Sequence, residues 1–110
     1  MAQDVNTART VIVRYLPKAG QDAALLELVR SHVPLLCALG LASEQAPYIM
    51  RAGDGSIVEV FSWASVAAIE RAHELPEVLA MWKRFGELCR IEAIGQLPET
   101  AKMFAEFEAL

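Results

Sequence analysis

Two short apolar runs on either side of a glycine-rich loop constrain the fold of this chain most. Residues 46–52 (APYIMRA) and 56–63 (SIVEVFSW) are rich in β-branched and aromatic residues, and Gly53-Asp54-Gly55 separates them. Glycine readily adopts the positive φ angles that a tight hairpin needs, and branched residues suit strands. The sequence therefore predicts two neighbouring antiparallel strands near its centre.

The residues before this hairpin predict one strand and one helix. Residues 9–16 (RTVIVRYL) have strand composition, and Pro17 is expected to end the strand. Over residues 21–39 the apolar positions recur at steps of three and four, which is typical of an amphipathic helix. Pro34 is expected to kink or split that helix, and Gly40 to stop it.

The residues after the hairpin repeat the pattern. Ser65 is expected to cap a helix over 66–73, and Pro76 suits the first turn of a second helical stretch. Residues 91–97 (IEAIGQL) predict a fourth strand, and residues 98–110 predict a last helix. One side of that last helix would carry the apolar residues Met103, Phe104, Phe107 and Leu110.

The order of these elements, β-α-β-β-α-β with a helix added at the C-terminus, predicts an α+β fold of the ferredoxin-like kind. The chain has 110 residues, the usual size of one domain, so residues 1–110 are interpreted as a single domain. Residues 1–8 are polar and without a pattern, and we expect them to form a flexible arm.

The predicted strands carry apolar residues on both faces, which predicts a homodimer. In 56–63, Ile57, Phe61 and Trp63 alternate with Val58 and Val60. Hydrophobic residues make up 55% of the chain, above the usual share of about 45–50% in soluble domains. Since helices cover only one face of such a sheet, we expect a second copy to cover the other, forming a dimeric α+β barrel.

Charge and cysteine content narrow the choice of partners. The net charge is −4 and the basic residues are scattered, which argues against nucleic acid as a partner. No apolar run reaches the length of a membrane helix, and no secretory signal is visible, so a cytoplasmic protein without a membrane partner is expected. Cys37 and Cys89 lack metal-ligand spacing and are interpreted as buried reduced thiols, and no metal or cofactor is predicted.

Residues 58–78 (VEVFSWASVAAIERAHELPEV) resemble the core of the antibiotic biosynthesis monooxygenase-like family of dimeric α+β barrels. That family shows a strand ending in an aromatic residue, a serine, a helix with Ala-His near its end, and a proline soon after. The resemblance spans residues 9–97 and implies the fold above. It also implies one of several functions, which include cofactor-free oxygenation of quinol-like aromatics, haem degradation and isomerisation. In the haem-degrading members of the family, a tryptophan and a histidine lie on the same helix. Here Trp63 closes a strand and does not lie on the helix with His73, so haem degradation is not the favoured interpretation.

Glu59 is the most unusual residue of the third predicted strand. It points to the same side as Phe61 and Trp63, where a carboxylate is costly unless it is paired. Arg14 and Arg51 on the neighbouring strands are its predicted partners. Glu59 is then either a structural ion-pair residue or a general base. In related oxygenases a polar residue and a tryptophan four positions apart line the pocket, and Glu59 and Trp63 have this spacing.

His73 is the second candidate for proton transfer, because a neutral imidazole beside a pocket can accept a proton from a phenol. The alternative is a hydrogen bond to the backbone at the end of its helix. For His32 the structural interpretation, a hydrogen bond to the backbone, is preferred more strongly than it is for His73. Trp63 and Trp82 are expected to flank an aromatic ligand or to fill the core.

Two hypotheses on function follow. In the first, a pocket lined by Glu59, Trp63, His73 and Trp82 performs oxygen or proton transfer on an aromatic, quinol-like substrate without a cofactor. Arg14 and Tyr48 are further candidates for substrate binding. In the second, the chain is a non-catalytic dimeric module that binds an apolar ligand or has a stress-related role, Glu59 is paired, and His73 is structural.

Overall fold

The computed structural model describes residues 7–110, which form an α+β fold with a five-stranded antiparallel sheet and three α-helices. The predicted flexible arm, apart from Thr7 and Ala8, lies outside the described residues. In chain order the elements are β1 (Arg9–Pro17), α1 (Asp22–Ala38), β2 (Tyr48–Arg51), β3 (Ile57–Trp63), α2 (Val66–Ala72), α3 (Pro76–Leu88), β4 (Cys89–Glu92) and β5 (Glu108–Ala109).

The strand order in the sheet is β4-β1-β3-β2-β5, so β3 lies between β1 and β2. Val13 of β1 and Ile49 of β2 both stand opposite Glu59 of β3. Because directly opposed residues of antiparallel strands project to the same face, these three side chains share one face of the sheet. This is the face against which the helices pack.

The main core lies between that face and the helices. A stripe along α1 with the spacing of an amphipathic helix is buried against the sheet: Leu25, Val29, His32, Val33 and Leu36. Helix α3 contributes a second buried stripe that includes Phe85. The central position of β3 and the packing of α1 and α3 together enclose the middle of this face.

Several local predictions are confirmed. The side chain of Ser65 accepts a hydrogen bond of 3.0 Å from the backbone N–H of Ala68, which caps α2. Pro76 stands in the first turn of α3. Gly40 follows the end of α1 with φ +73°, and Gly55 has φ +91° in the hairpin between β2 and β3. Both values lie in the left-handed region that favours glycine.

The prediction that Pro34 kinks or splits the first helix is wrong as regards a split, because α1 runs without interruption from Asp22 to Ala38. Pro34 and Arg30, whose carbonyl loses its helical partner, both lie on the exposed side of the helix. Water can bond to that carbonyl, so the missing backbone hydrogen bond is tolerated.

The fourth strand is shorter than predicted. It covers Cys89–Glu92 rather than residues 91–97, and Ile94–Gln96 is a short 3₁₀ helix. Leu97, which follows, is 2% exposed and packs with Val58 on the face of the sheet opposite the helices. After Glu92 the chain leaves the sheet and crosses over that face, and this path places Leu97 against Val58.

The predicted C-terminal helix over 98–110 is wrong. Only Pro98–Ala101 is helical, as a single 3₁₀ turn, and Glu108–Ala109 instead pairs with the edge of β2. Polar side chains bond to the backbone here and compete with a helix: Glu99 accepts from the N–H of Gly53 at 2.7 Å, and the hydroxyl of Thr100 donates to a nearby carbonyl. Pairing with β2 then replaces helical hydrogen bonds at the end of the chain.

This C-terminal segment covers only part of the sheet face opposite the helices. Phe107 packs with Leu97 against Val58, whereas Met103 and Phe104 are exposed. Farther along the same face, Ile12 is 54% and Tyr48 71% exposed.

In the described part of the chain, no helix has both the length and the apolar character required to cross a membrane.

Candidate functional site

A cavity of about 400 Å³ lies between the sheet and helices α1 and α3. Strand β1 contributes every second residue to its wall, as the two-residue period of a strand requires. The wall is almost entirely aromatic and aliphatic, and it consists of Val11, Val13, Tyr15, His32, Phe61, Trp63, Trp82, Phe85 and Ile91. The volume lies within the usual range for small-molecule sites, about 300–1,000 Å³.

The structure brings Trp63 and Trp82 together in this wall. Trp63 is buried at the end of β3, where it stands 5.4 Å from the ring of Phe61, and Trp82 is half-buried on α3. The chain has two tryptophans, and the indole rings of both line this cavity. The sequence placed these residues near one pocket without showing that they would meet.

The other predicted site residues do not line this cavity. His73 is exposed at the end of α2, and its Nδ1 donates to the carbonyl of Ile69 at 2.8 Å. Its ring contacts the edge of Trp82, with 5.0 Å between ring centres. Arg14 and Tyr48 project to the opposite face of the sheet, because they oppose Val58 and Val60 rather than Glu59.

Glu59 lies directly behind the wall, at the centre of β3, and its side chain is fully buried. Its Oε1 accepts two hydrogen bonds of 2.8 Å, one from the hydroxyl of Tyr15 and one from Nδ1 of His32. Two residues, one from β1 and one from α1, thus converge on one carboxylate oxygen of β3. Among residues 7–110, Oε2 of Glu59 has no hydrogen-bond partner.

The predicted partners of Glu59 were wrong. Arg14 instead donates to Asp54 at 2.7 Å and to Ser56 at 3.0 Å, on the opposite face. Arg51 pairs with Asp22 at the start of α1. Register places Arg14 on the face opposite Glu59. Arg51 opposes Ile57 on the same face as Glu59, but it is paired with Asp22 instead.

His32 is the site residue that the sequence interpretation missed. It belongs to the buried stripe of α1, four residues before Leu36 and three after Val29, and this spacing was the available signal. Its ring stands edge-on to both Phe61 and Phe85, with 5.2 Å between ring centres in each case. Its Nδ1 is bound to Glu59, but among the described residues its Nε2 has no hydrogen-bond partner.

Tyr15 completes this group as a permanent donor. Burial, followed by the nearby carboxylate of Glu59, raises the pKa of the Tyr15 hydroxyl far above its ordinary value. The hydroxyl therefore stays protonated and can donate to Glu59 at all ordinary pH values. Tyr15 also stacks on Phe85, with 4.9 Å between ring centres, which holds the phenol in place.

The two cysteines stand apart from this arrangement. Both are free, and Cys89 is buried while Cys37 is partly buried. Burial raises the pKa of the Cys89 thiol, which keeps it protonated and unreactive. Over residues 7–110, no three histidine, cysteine, aspartate or glutamate side chains lie together in a way that could hold a metal ion.

Comparison of the chain with protein-family models, with curated proteins and with solved structures finds no match.

Proposed function

We propose that this protein binds a small, planar aromatic or quinol-like molecule in the cavity between the sheet and helices α1 and α3. The observation that carries this proposal is the composition of the wall, where two tryptophans and two phenylalanines surround a space of about 400 Å³. Aromatic rings stack favourably on one another, with about 0.5–1.5 kcal/mol per pair beyond the effect of burial. The wall therefore suits a flat apolar molecule better than a charged or sugar-like one.

The chemistry that fits such a site is cofactor-free monooxygenation, the activity implied by the resemblance of residues 58–78. A deprotonated, electron-rich aromatic can pass electrons to O2 without a resident cofactor. When a quinol is converted to a hydroxyquinone, its ring supplies the four electrons that O2 takes up. One oxygen atom then enters the product and the other leaves as water. The protein has to bind, orient and deprotonate the substrate and exclude water.

The cavity can be tested with naphthol as a planar aromatic probe. Because Trp63 and Trp82 both line the cavity, naphthol binding is expected to quench the intrinsic fluorescence of the protein. Val13→Phe fills the cavity from β1 and should weaken binding about tenfold or more, which corresponds to about 1.4 kcal/mol. The control Leu79→Phe adds similar bulk to an exposed position of α3 and should leave the affinity unchanged.

Equal naphthol affinities for Val13→Phe and the wild type would disprove binding at this place. If naphthol binds but no quinol-like compound consumes O2 in an oxygen-electrode assay, the non-catalytic binding module becomes the better description.

We also propose that the fold is one half of a dimeric α+β barrel, of ferredoxin-like topology, in which a second copy covers the open sheet face. The strand order β4-β1-β3-β2 supports this topology. The exposure of Ile12 and Tyr48, next to half-buried Val60, supports a sheet-to-sheet contact. A second copy that covers Ile12 and Tyr48 would remove their apolar surface from water, and this favours the dimer.

In solution we therefore expect light scattering behind a sizing column to give about twice the chain mass of 12.1 kDa. Ile12→Asp places a charge in the contact and should shift the protein to monomer, because burying an unpaired charge is costly. The control Leu79→Asp alters an exposed apolar residue on the helix side and should leave the dimer intact. A wild-type monomer at micromolar concentration would contradict the barrel proposal.

A further inference from the structure

The hydrogen bonds around Glu59 determine where the proton of His32 lies. The Tyr15 hydroxyl already donates to Oε1 of Glu59, and a carboxylate oxygen can only accept. Nδ1 of His32, which stands 2.8 Å from the same oxygen, must then carry a hydrogen and donate it. In a neutral imidazole the other nitrogen, Nε2, is left with a lone pair and no hydrogen.

That lone pair belongs to a residue of the cavity wall. His32 belongs to the cavity wall, and its ring lies between Phe61 and Phe85, which also belong to it. Nε2 lies on the edge of the ring turned away from Glu59. The His32 side chain is 5% exposed, and within residues 7–110 nothing bonds to Nε2. A buried acceptor without a partner is unfavourable, so a ligand that supplies a donor here gains affinity.

We infer that His32 accepts the proton of a phenolic or enolic hydroxyl of a ligand in the cavity, and that Glu59 and Tyr15 are positioning residues. The inference rests on the proposed binding of an aromatic molecule. The ligand O–H bond breaks, an N–H bond forms at Nε2, and the electron pair stays on the ligand oxygen. The resulting imidazolium carries one positive charge and retains its hydrogen bond to the carboxylate of Glu59.

The surroundings of His32 offset part of the cost of the positive charge that this transfer creates. An isolated cation in an apolar wall is unstable, but Glu59 supplies a negative charge within hydrogen-bonding distance from β3. From β1, Tyr15 faces the same carboxylate and holds it in place. The arrangement of a base oriented by a buried carboxylate recurs in many enzymes that abstract protons.

The first test needs no ligand. Nitrogen NMR of the full-length protein labelled at histidine should show His32 at neutral pH with hydrogen on Nδ1 and none on Nε2. Glu59→Gln offers both a donor and an acceptor in place of the carboxylate, so a mixture of the two tautomers is expected. Tyr15→Phe should produce a smaller change of the same kind. A wild-type His32 with hydrogen on Nε2 would overturn the inference whether or not the cavity binds anything.

The second test uses para-nitrophenol, whose anion is yellow and whose neutral form is not. Bound to the wild type below its solution pKa, it should appear mainly as the anion. Glu59→Gln should lower the ratio of bound anion to bound neutral probe about tenfold, the equivalent of one pKa unit. The double variant His32→Gln/Glu59→Gln, which avoids leaving a buried carboxylate unpaired, should bind the probe in its neutral form only.

His73→Gln is the matched control, since it removes the other histidine, which lies outside the cavity, and should leave the spectrum unchanged. Binding with the same spectrum in the wild type and the double variant would overturn the inference while leaving the proposed binding intact. If the probe fails to bind the wild type, the binding proposal is contradicted, and the nitrogen spectrum alone decides the state of His32.

Discussion

Phe85→Ala is expected to lower the free energy of unfolding by about 3–5 kcal/mol, the range measured for buried phenylalanines. Phe85 is 2% exposed on α3. It stacks on Tyr15 at 4.9 Å and stands edge-on to His32 at 5.2 Å, so it joins the helix layer to both donors of Glu59. Its removal opens space that the rigid sheet behind it cannot refill.

Urea unfolding followed by circular dichroism measures this loss. Leu79→Ala is the control, because Leu79 lies on the same helix but is 46% exposed, and its removal should cost about 1 kcal/mol or less. Similar losses for the two variants would contradict the placement of Phe85 at the centre of the core.

Arg14→Ala is expected to lower the free energy of unfolding by about 2–4 kcal/mol. This is somewhat below the usual 3–5 for a broken buried pair, since the Asp54 side chain is about one third exposed. Arg14 donates to Ser56, Asp54 and Gln96, and so joins the hairpin loop to the segment after β4. The buried hydroxyl of Ser56 would lose its hydrogen bond from Arg14. Ligand binding in the cavity should be unaffected, because Arg14 lies on the opposite face.

Arg51→Ala is the matched control for Arg14→Ala. The carboxylate that pairs with Arg51 is about half exposed, and such surface pairs contribute about 1 kcal/mol or less. Equal losses for the two arginine variants would show that the network around Arg14 has no special role in stability.

The same network makes stability depend on pH. Burial tends to raise the pKa of Asp54, but hydrogen bonds from Ser56 and Arg14 outweigh it and hold the pKa below its ordinary value of 3.8. The contribution of Asp54 is therefore present above that value and is lost as the pH falls through the lower pKa of the folded state. The loss of stability between about pH 5 and about pH 3 should be smaller in Arg14→Ala than in the wild type.

The local elements could be predicted because their signals act over a few residues. Ser65 caps α2 and Pro76 opens α3 because the first turn of a helix has unpaired N–H groups that a side-chain oxygen or a proline accommodates. Gly55 allows the hairpin turn because it has no Cβ. The prediction of a C-terminal helix is wrong for the opposite reason. Its pairing with β2 and the bond from Gly53 to Glu99 join residues that are distant in sequence.

The sequence by itself determined the order of the elements from β1 to β4, the two-sided apolar character of β3, and the anomaly of a carboxylate at Glu59. Only the tertiary structure decided the partners of that carboxylate. Register places Arg14 on the far face of the sheet, and the packing of α1 brings His32 to Glu59 from 27 positions away. Spacing along a chain reports the face of an element, but contact between faces depends on how separate elements pack, which no local pattern records.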